Sequence, residues 1–391
     1  MILEDRAAFE SALPIAALPP VSAHAPAPAE LLLIRAQALS DADHACWDRL
    51  GEDAATPSIF AQPWFTRAGL AHCAEGSRCT LAVVRDETGE WLGAMPLIAR
   101  LCYGRAPFPH WAQWTHPNQF RGTPLVRNGQ AVRFWRGLFD GLDRKGRGRL
   151  ALRLTGLPLG EDVALALMQV CCEDRRAWKV DRQHTRAVLH ADQPESPEAL
   201  KGSRRRRIAS LERKLAREIG PQGWRVVRDE AAVAPALARF LALERAGWKG
   251  AAGSALASAA STSGFFAAVT AEAARRGRLE ITELLAGDRV IASSVHFIGD
   301  TESYGYKMAY DEALGAYGPG LLLLARLTAH FRETGPARID SCCAPGQEPI
   351  GTLWPDRLGL VDCGVALGGE WRRRGLNLLN LAETIYHGAP G

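Results

Sequence analysis

The chain has 391 residues, of which 47% are hydrophobic and 23% charged, and its formal net charge is +4. This length and composition indicate a globular protein of about two domains, and the mild charge does not indicate DNA binding. No apolar run reaches the ~18 residues that a membrane-spanning helix needs, so we expect at most peripheral membrane contact. The nine cysteines have neither zinc-ligand spacing nor the density of a disulfide scaffold. We therefore expect reduced thiols, no metal site, no secretory signal in the start MILEDRAAFE, and a cytoplasmic location.

The first half of the chain predicts an α/β domain behind a flexible leader. Residues 1–29 are rich in alanine and proline, which is typical of a loosely packed segment. Apolar periodicity then predicts strands and helices in turn, with Ser40 as the N-cap of the first helix. The predicted elements are a strand from Leu31, helices 41–50 and 61–73, strands 80–85 and 90–101, a helix 131–144, a strand 149–154, a helix 162–172 and a strand 185–190. We place this domain at residues 30–192.

Residues 103–127 form an aromatic and irregular segment within this domain. Loops of this length are uncommon in compact domains unless they have a function. Aromatic faces with interleaved amides suit a polyol or glycan acceptor, so Trp111, Trp114 and Asn118 are candidate acceptor contacts. The alternative is an aromatic cluster that seals one end of the sheet.

A polar, proline-containing segment at 191–199 predicts a domain junction, and a basic helix at 201–219 follows it. The apolar residues of this helix recur every three or four positions, so they form one face. The rest of the helix is rich in arginine and lysine. These side chains could hold the phosphates of CoA, tRNA or a lipid-linked sugar, or they could form a solvated helix face. The linking helix belongs to the second domain, which we place at residues 193–391.

The second domain predicts a further alternation of strands and helices. Gly299 and Asp300 are a hairpin signal between two of its strands. The predicted elements are a strand 224–228, a helix 231–246, a glycine-rich loop 247–255, a helix 264–276, strands 279–285, 289–298 and 303–310, strands 337–342 and 360–364, and a helix 371–386.

The sequence GAYGPG at 315–320 separates the second hairpin strand from an apolar helix. Glycines let a ligand approach the backbone closely, and a helix start offers N–H groups and a positive dipole end. Pro319 suits the first helical turn because its φ is preset. This corner could hold a pyrophosphate; the alternative is a plain turn before a buried helix. The candidate cofactor contacts here are Gly315, Tyr317, Gly318, Gly320 and Leu321.

The order of hairpin, glycine-rich loop, apolar helix and strand resembles the acyl-CoA-binding core of the GNAT acetyltransferase superfamily. The loop there follows the pattern (Arg/Gln)-x-x-Gly-x-(Gly/Ala), whereas Gly315 stands at the first position here. The stretches 201–215, 240–250, 294–310 and 315–324 also resemble the acyltransferase domain of CelD/BcsL-like proteins, in the Fem-type branch of GNAT. This resemblance implies an α/β fold of two tandem GNAT-like domains, each a mixed central sheet flanked by helices.

The resemblance also implies a reaction. Acyl-CoA, in the first instance acetyl-CoA, would be the donor, and an amine or hydroxyl would attack it directly. A backbone N–H near Met308 or Tyr310, on a splayed strand, would polarise the thioester carbonyl. Members are linked to polysaccharide and cell-envelope building, so the expected acceptor is a glycan or a small molecule. The first half shows no matching loop, so we expect a donor site in the second half alone.

A base must accept the proton of the acceptor, and four side chains are candidates: His296, Glu244, Asp340 and Tyr306. Histidine titrates near neutral pH, and an acid at a strand end often faces a ligand in α/β sheets. Three of these candidates also have a structural alternative. His296 could belong to the core, Glu244 could position a residue of the following loop, and Asp340 could cap the next loop. Strand alternation would let only one of Tyr306 and Lys307 face the cleft. The further candidate substrate contacts are Trp248, Lys249 and Lys307.

We therefore predict an N- or O-acyltransferase of the GNAT type. One alternative is a Fem-like transferase that uses aminoacyl-tRNA, which would need a broad basic surface. Another is a non-catalytic subunit of a polysaccharide synthesis system, in which Tyr317 and Pro319 would block the loop against a pantetheine arm. The sequence leaves the oligomeric state open.

Overall fold

The computed structural model describes residues 29–56, 58–103, 106–145, 148–192, 202–344 and 350–369. The predicted helix 371–386, most of the predicted leader and the greater part of the predicted junction lie outside these ranges. Within them, no helix is both long and apolar enough to cross a membrane.

The first half contains seven strands and four helices within the described residues. Ser40 caps the first helix as predicted: its hydroxyl accepts the Asp43 N–H at 3.2 Å. The segment 103–127 is more regular than predicted, because two strands, β4 and β5, form in it. The elements are β1 Glu30–Arg35, α1 Asp41–Glu52, α2 Pro63–His72, β2 Thr80–Arg85, β3 Trp91–Tyr103, β4 Ala106–Gln113, β5 Leu125–Val126, α3 Ala131–Lys145, β6 Ala151–Pro158, α4 Asp162–Glu173 and β7 Trp178–His190.

The second half follows the same order of elements. A helix, α5, precedes its first strand, and the predicted glycine-rich loop 247–255 contains a short helix, α7. The elements are α5 Gly202–Glu218, β8 Gln222–Val227, α6 Glu230–Ala246, α7 Trp248–Ala251, α8 Ala260–Arg275, β9 Leu279–Ala286, β10 Arg289–Ile298, β11 Glu302–Tyr310, α9 Pro319–Thr334, β12 Arg338–Asp340, α10 Ile350–Leu353 and β13 Asp356–Ala366.

All strands of the described residues join one 13-stranded mixed sheet, in the order β1-β2-β3-β4-β6-β13-β7-β12-β11-β10-β9-β8, with β5 paired to β3. Each half contributes four antiparallel strands and then a parallel one, β4 with β6 and β11 with β12. The last strands are exchanged: β13 lies beside β6, and β7 lies beside β12. The predicted α/β class, with a mixed sheet flanked by helices, is confirmed.

Helices cover both faces of this sheet and bury separate apolar clusters. In the first half, α3 and α4 pack against β6 and β13 through residues such as Phe134 and Leu167. In the second half, α6 and α8 cover one face and α5 and α9 the other. Helix α2 of the first half packs on α8, where the rings of Phe65 and Phe265 lie 5.4 Å apart. Burial of each aromatic side chain stabilises the fold by about 1.5–3 kcal/mol, so this contact helps to hold the two halves together.

The parallel pairs are short, and each leaves a gap where pairing ends. The first-half pair involves Trp111 and Ala112 of β4, and the following residue, Gln113, fills the gap beyond them. Its Nε2 donates to the Gly122 carbonyl, and its Oε1 accepts the Thr155 N–H at 3.4 Å. The first-half gap is therefore occupied by the protein's own side chain.

Candidate active site

The corner between β11 and α9 is a turn that ends in a helix start. Residues Glu312–Tyr317 form a 3₁₀ helix, and Gly318 then takes left-handed angles, with φ 62° and ψ 46°. A glycine is favoured there because it has no Cβ to clash. Pro319 opens α9, and no side chain caps that start within the described residues. The N–H groups of Gly320 and Leu321 belong to the first helical turn, so no intrahelical hydrogen bond uses them.

Space around the glycines of this corner is uneven. A Cβ on Gly315 would meet nothing within 4 Å, whereas one on Gly320 would lie 3.1 Å from the Tyr310 ring. A Cβ on Gly318 would lie 3.0 Å from Leu211 of α5. The corner is thus open at Gly315 and walled by α5. An uncapped helix start beside open space fits a pyrophosphate group.

Helix α5 brings its basic residues next to this corner. Its apolar face, including Leu211 and Leu215, packs against α9, as its periodicity predicts. The Lys214 ammonium lies 4.8 Å from the centre of the Tyr317 ring, and the Tyr317 hydroxyl donates to Glu218 at 3.1 Å. Tyr317 therefore contacts α5, and a lysine stands within reach of an anion at the helix start.

Strand β11 contains a bulge at Tyr306. Ser294 of β10 pairs with Met308, and Val295 pairs with Lys307, but His296 pairs with Gly305, so Tyr306 has no partner. An extra residue of this kind breaks the alternation of a strand. The prediction that only one of Tyr306 and Lys307 faces the cleft is therefore wrong.

Both side chains reach Phe120, which comes from the first half. The Lys307 ammonium lies 5.1 Å from the Phe120 ring and 5.5 Å from the Tyr306 ring. The Tyr306 and Phe120 ring centres are 5.5 Å apart. The bulge therefore places a phenol and an ammonium together against the other half of the molecule.

Pairing between β11 and β12 ends at Tyr304 and Asp340, which opens the second gap. The Lys307 carbonyl accepts the Ser294 hydroxyl at 3.1 Å, on the β10 side. The Met308 carbonyl instead accepts the Lys249 ammonium at 3.5 Å. Successive carbonyls of β11 thus point to opposite sides, and the main chain of Met308 borders the gap.

Glu244 and Lys249 form a buried pair at this gap. Glu244 is 4% exposed; its carboxylate accepts the Lys249 ammonium at 3.0 Å and the Leu256 N–H at 2.8 Å. Lys307 lies near this pair, yet its own Nζ makes no hydrogen bond or ion pair with any described residue. Burial, and next the charge of Lys249, lower the pKa of Lys307 to about 8, while Glu244 opposes this shift.

One predicted base, His296, lies apart from this pair, whereas Tyr306 lies beside Lys307. His296 is fully buried, its ring 5.1 Å from Phe331 of α9, and burial lowers its pKa to about 4. Its ring thus packs toward α9, on the sheet face opposite to Tyr306, which stacks on Phe266 of α8. The Tyr306 hydroxyl is buried without a partner among the described residues, and burial raises its pKa well above the usual value. The structure brings Tyr306, Glu244, Lys249 and Lys307 together and leaves His296 apart.

Asp340 lies in an ion network that joins the two halves. Its carboxylate accepts the Arg121 Nε at 2.8 Å, the Cys342 N–H at 2.9 Å, and a bond from Arg186. Burial raises the pKa of Asp340, but the two arginines outweigh burial and lower it. The network also contains Glu161, Glu302 and Arg338. A carboxylate with these bonds is an anchor for arginines.

The predicted acceptor contacts of the first half are buried side chains. Trp111 belongs to the first-half core, and Trp114 packs with Cys79 and Ile98. Asn118 is also buried. The rings of both tryptophans pack in apolar clusters of the sheet. The packing alternative therefore holds for these two residues. The same segment supplies Phe120 to the gap, which sequence reasoning missed because one aromatic among many gives no signal.

Trp248 lies at the surface beside the donor corner. It is 59% exposed, and its backbone N–H donates to Glu312 at 2.8 Å. Glu312 begins the 3₁₀ helix that leads to Gly318. Trp248 therefore stands at the mouth of the corner, distant from the core of the sheet.

A cavity of about 220 Å³ lies between the halves, next to the end of β12. Sequence reasoning did not find it, because its walls come from separate parts of the chain. It is lined by Thr115, Gln119, Phe120, Arg121, Gly122, Thr155, Gly156, Arg182, His184, Arg186, Cys342, Cys343 and Ala344.

Cys342 at this cavity is not an activated nucleophile. Cys342 has φ 52°, uncommon for a residue other than glycine, and its N–H binds Asp340. Burial holds the pKa of its thiol well above the usual value. Thiolate chemistry needs the opposite shift. No group of metal-binding side chains occurs within the described ranges.

Comparison with known proteins agrees with this geometry. Residues 202–349 match the family model of an acetyltransferase (GNAT) domain. That range contains α5, the bulged strand, the uncapped helix start and the gap. No curated protein matches the chain.

Three solved structures are similar to the chain at low sequence identity. The C-terminal domain of a putative lysylphosphatidylglycerol synthetase from Agrobacterium fabrum has a TM-score of 0.52 at 12% identity, covering 85% of this chain and 95% of that one. FemX has a TM-score of 0.48 at 10% identity, with coverages of 82% and 95%. A tandem GNAT protein from the clavulanic acid biosynthesis pathway has a TM-score of 0.41 at 16% identity, with coverages of 88% and 100%. The family match supports a transferase of GNAT fold.

Proposed function

We propose that the chain is an N- or O-acyltransferase that takes an acyl group, in the first instance acetyl, from acyl-CoA and transfers it to an amine or hydroxyl. The observation that carries this proposal is the corner where β11 leaves β12 and the chain turns through Gly318 into α9. An open strand edge and an uncapped helix start lie side by side there. A thioester with a pyrophosphate arm needs both an anion site and a carbonyl site.

The donor would be held by the main chain. The amides of Gly320 and Leu321 and the open space at Gly315 would receive the pyrophosphate, with Lys214 nearby as a cation. The edge of β11 at Met308 and Tyr310 would face the acyl arm. Tyr317 is engaged by Glu218 on α5, which favours an accessible corner over the blocked loop of a non-catalytic subunit.

We assign proton removal to Lys307. The donor supplies an activated carbonyl carbon and a thiol leaving group. As the new C–N or C–O bond forms and the C–S bond breaks, the proton of the acceptor passes to neutral Lys307 and then to the departing thiol or to solvent. Because the pKa of Lys307 is lowered to about 8, part of the population is neutral near physiological pH. Glu244 and Lys249 act as positioning residues, since their pair fixes a second positive charge beside Lys307.

The acceptor would enter from the side of the cavity between the halves. Phe120 forms part of that cavity and also touches Lys307, so the two are neighbours. A glycan, an envelope precursor or a specialised metabolite with a free amine or hydroxyl fits this proposal. The chemistry at the gap is the same for all of them.

The donor assignment is tested by titrating the purified chain with acetyl-CoA in a calorimeter and in a thermal-shift assay. We expect saturable binding, with about 2.7 kcal/mol of stabilisation at a hundredfold excess over Kd. The matched variants are Gly315→Glu and Gly315→Gln, because a side chain at Gly315 meets open space. The carboxylate should weaken binding at least tenfold by repelling pyrophosphate, and the amide should have a smaller effect. Equal effects of the two variants, or no saturable binding by the parent chain, would remove this assignment.

A second candidate donor is aminoacyl-tRNA, and helix α5 favours it. Arg206, Arg207 and Arg213 are exposed on this helix, which flanks the donor corner. A run of cations beside a helix start suits a phosphodiester chain as well as CoA. Titration with charged tRNA at two salt concentrations separates the candidates, because tRNA binding should weaken steeply with salt. Tight, salt-sensitive tRNA binding without any acetyl-CoA binding would favour the Fem-like reaction.

A further inference from the structure

The cavity between the halves has an unusual set of walls. Its lining contains three arginines and a histidine, and none of its described lining residues is acidic. Its volume of about 220 Å³ is smaller than the roughly 300–1,000 Å³ of pockets that enclose a drug-sized ligand. It therefore suits one polar end of a molecule.

Strand β7 supplies the basic wall. Arg182, His184 and Arg186 alternate along this strand, so their side chains share one face. Arg186 is 5% exposed, and its Nε has no partner among the described residues; the Nδ1 of His184 is also buried without one. A buried donor left unpaired costs about 1–3 kcal/mol.

Carboxylates stand behind this wall and pair with its arginines. Asp340 is bound by Arg121 and Arg186, and Asp362 accepts the Arg182 Nε at 2.9 Å and the Gly156 N–H at 2.7 Å. The Nη1 of Arg186 also donates to the Phe120 carbonyl at 2.8 Å, so both Nη groups of Arg186 are used within the protein, whereas Asp362 binds only the Nε of Arg182. Because a guanidinium has five N–H donors in a fixed fork, the Nη groups of Arg182 remain for the cavity side.

We propose that this cavity binds an oxyanion, a carboxylate or a phosphate group, carried by the acceptor. The identity of the ligand as the acceptor rests on the proposed acyl transfer, while anion binding by the cavity does not. Phe120 separates the oxyanion from Lys307, so the group to be acylated would lie a short distance from the charged end of the same molecule. The acceptor class is then an amine or hydroxyl compound that also bears a carboxylate or phosphate.

Calorimetric titration with inorganic phosphate tests anion binding on the full chain. The test variant is Arg182→Gln, whose side chain is 64% exposed and so is expected to leave the fold intact. The matched control is Arg85→Gln, a strand arginine of β2 whose partner is Glu30, remote from the cavity. We expect saturable phosphate binding that weakens about tenfold or more in Arg182→Gln and is unchanged in Arg85→Gln. No saturable binding, or equal weakening in both variants, would overturn the proposal.

Two matched acceptor pairs identify the source of the oxyanion and separate this inference from the proposed reaction. Acetyl transfer is measured to glucosamine 6-phosphate against glucosamine, and to glycine against glycinamide. A lower KM for the phosphate or the carboxylate member, lost in Arg182→Gln while the KM for acetyl-CoA stays constant, would support the corresponding source. No preference in either pair would overturn the acceptor assignment. If acetyl-CoA binds and phosphate does not, the donor proposal stands and this one fails; the reverse result removes the acyl transfer and keeps the anion site.

Discussion

Lys307 is held at the gap by packing and not by an ion pair. Its ammonium lies against the rings of Phe120 and Tyr306, and the nearby carboxylate of Glu244 is already bound to Lys249. Cation–π contacts stabilise the charged form by about 0.5–2 kcal/mol, whereas burial and a second ammonium favour the neutral form. Burial and the charge of Lys249 lower the pKa of Lys307 to about 8.

A base with this pKa predicts a pH-dependent rate. Lys307 accepts a proton only when neutral, so kcat/KM for acetyl transfer should rise with pH up to about 8 and then level off. Lys307→Met should lower kcat by about 10²–10⁴-fold and abolish this dependence. Lys307→Arg is the control, because arginine keeps the charge and cannot lose its proton. Full activity in Lys307→Arg would mean that the residue acts as a cation and not as a base.

His296 should affect acid stability and leave catalysis nearly unchanged. Its pKa is lowered in the folded state from 6.5 to about 4, so the unfolded chain binds more protons between these values. Stability therefore rises with pH across that window, and about 3 kcal/mol is lost as pH falls from 6.5 to 4. In His296→Leu the unfolding free energy should depend less on pH by about this amount, as measured by urea denaturation at several pH values. A loss of kcat beyond about tenfold in the same variant would restore His296 as a candidate base.

At single positions, the sequence predicted the residue types of the site better than their surroundings. Glu244, Lys249, Lys307 and Tyr306 do meet, and their polar character within apolar elements was the signal. The bulge at Tyr306 was invisible, since one inserted residue leaves the apolar pattern of the strand unchanged. Asp340 looked accessible from sequence because its partner Arg121 is 219 residues away.

The start of α9 is the element on which the donor site depends. Gly318 has left-handed angles, and a Cβ there would lie 3.0 Å from the Leu211 side chain, a tight contact. Gly318→Ala should therefore lower the unfolding free energy by about 1–2 kcal/mol, since left-handed angles cost an L-residue that much. Thermal or urea unfolding measures it.

Gly315→Ala is the control for this prediction, because the same change there meets open space and ordinary backbone angles. It should be neutral or slightly stabilising. Similar losses in the two variants would show that neither the angle nor the contact with Leu211 matters.

Most helices and strands were predictable because their signals are local. Each signal involves residues that are close in sequence: the apolar periodicity, the N-cap Ser40 and the glycines at turns. The exchange of β7 and β13 between the halves was not predictable, because each of these strands has an ordinary pattern and its neighbour is chosen by distant residues. The same holds for Gln113, whose closure of the first-half gap depends on Gly122 and Thr155.

Across the whole molecule, the ion network around Arg121 ties the halves together. Arg121 is fully buried and binds Glu161, Glu302 and Asp340. Removing one partner of a buried network leaves uncompensated charge, so Arg121→Met should lower the unfolding free energy by about 3–5 kcal/mol. Arg85→Met, which removes an exposed pair with Glu30, should cost at most about 1 kcal/mol. Comparable losses in the two variants by urea denaturation would contradict a stabilising network.

The exchanged strands predict that the two halves unfold together. Strand β13 completes the first-half sheet between β6 and β7, and β7 pairs with β12 of the second half, so neither half can lose its fold without exposing the edge of the other. We expect one urea transition, coincident by circular dichroism and tryptophan fluorescence, although two domains of this size often unfold separately. Two separate transitions would contradict this prediction. The same connection limits opening between the halves, because a wide hinge movement would break strand pairing. The distance between the cavity and the gap at Lys307 is therefore set by the sheet itself, which suits a site that selects acceptors by the spacing between their charged end and their nucleophile.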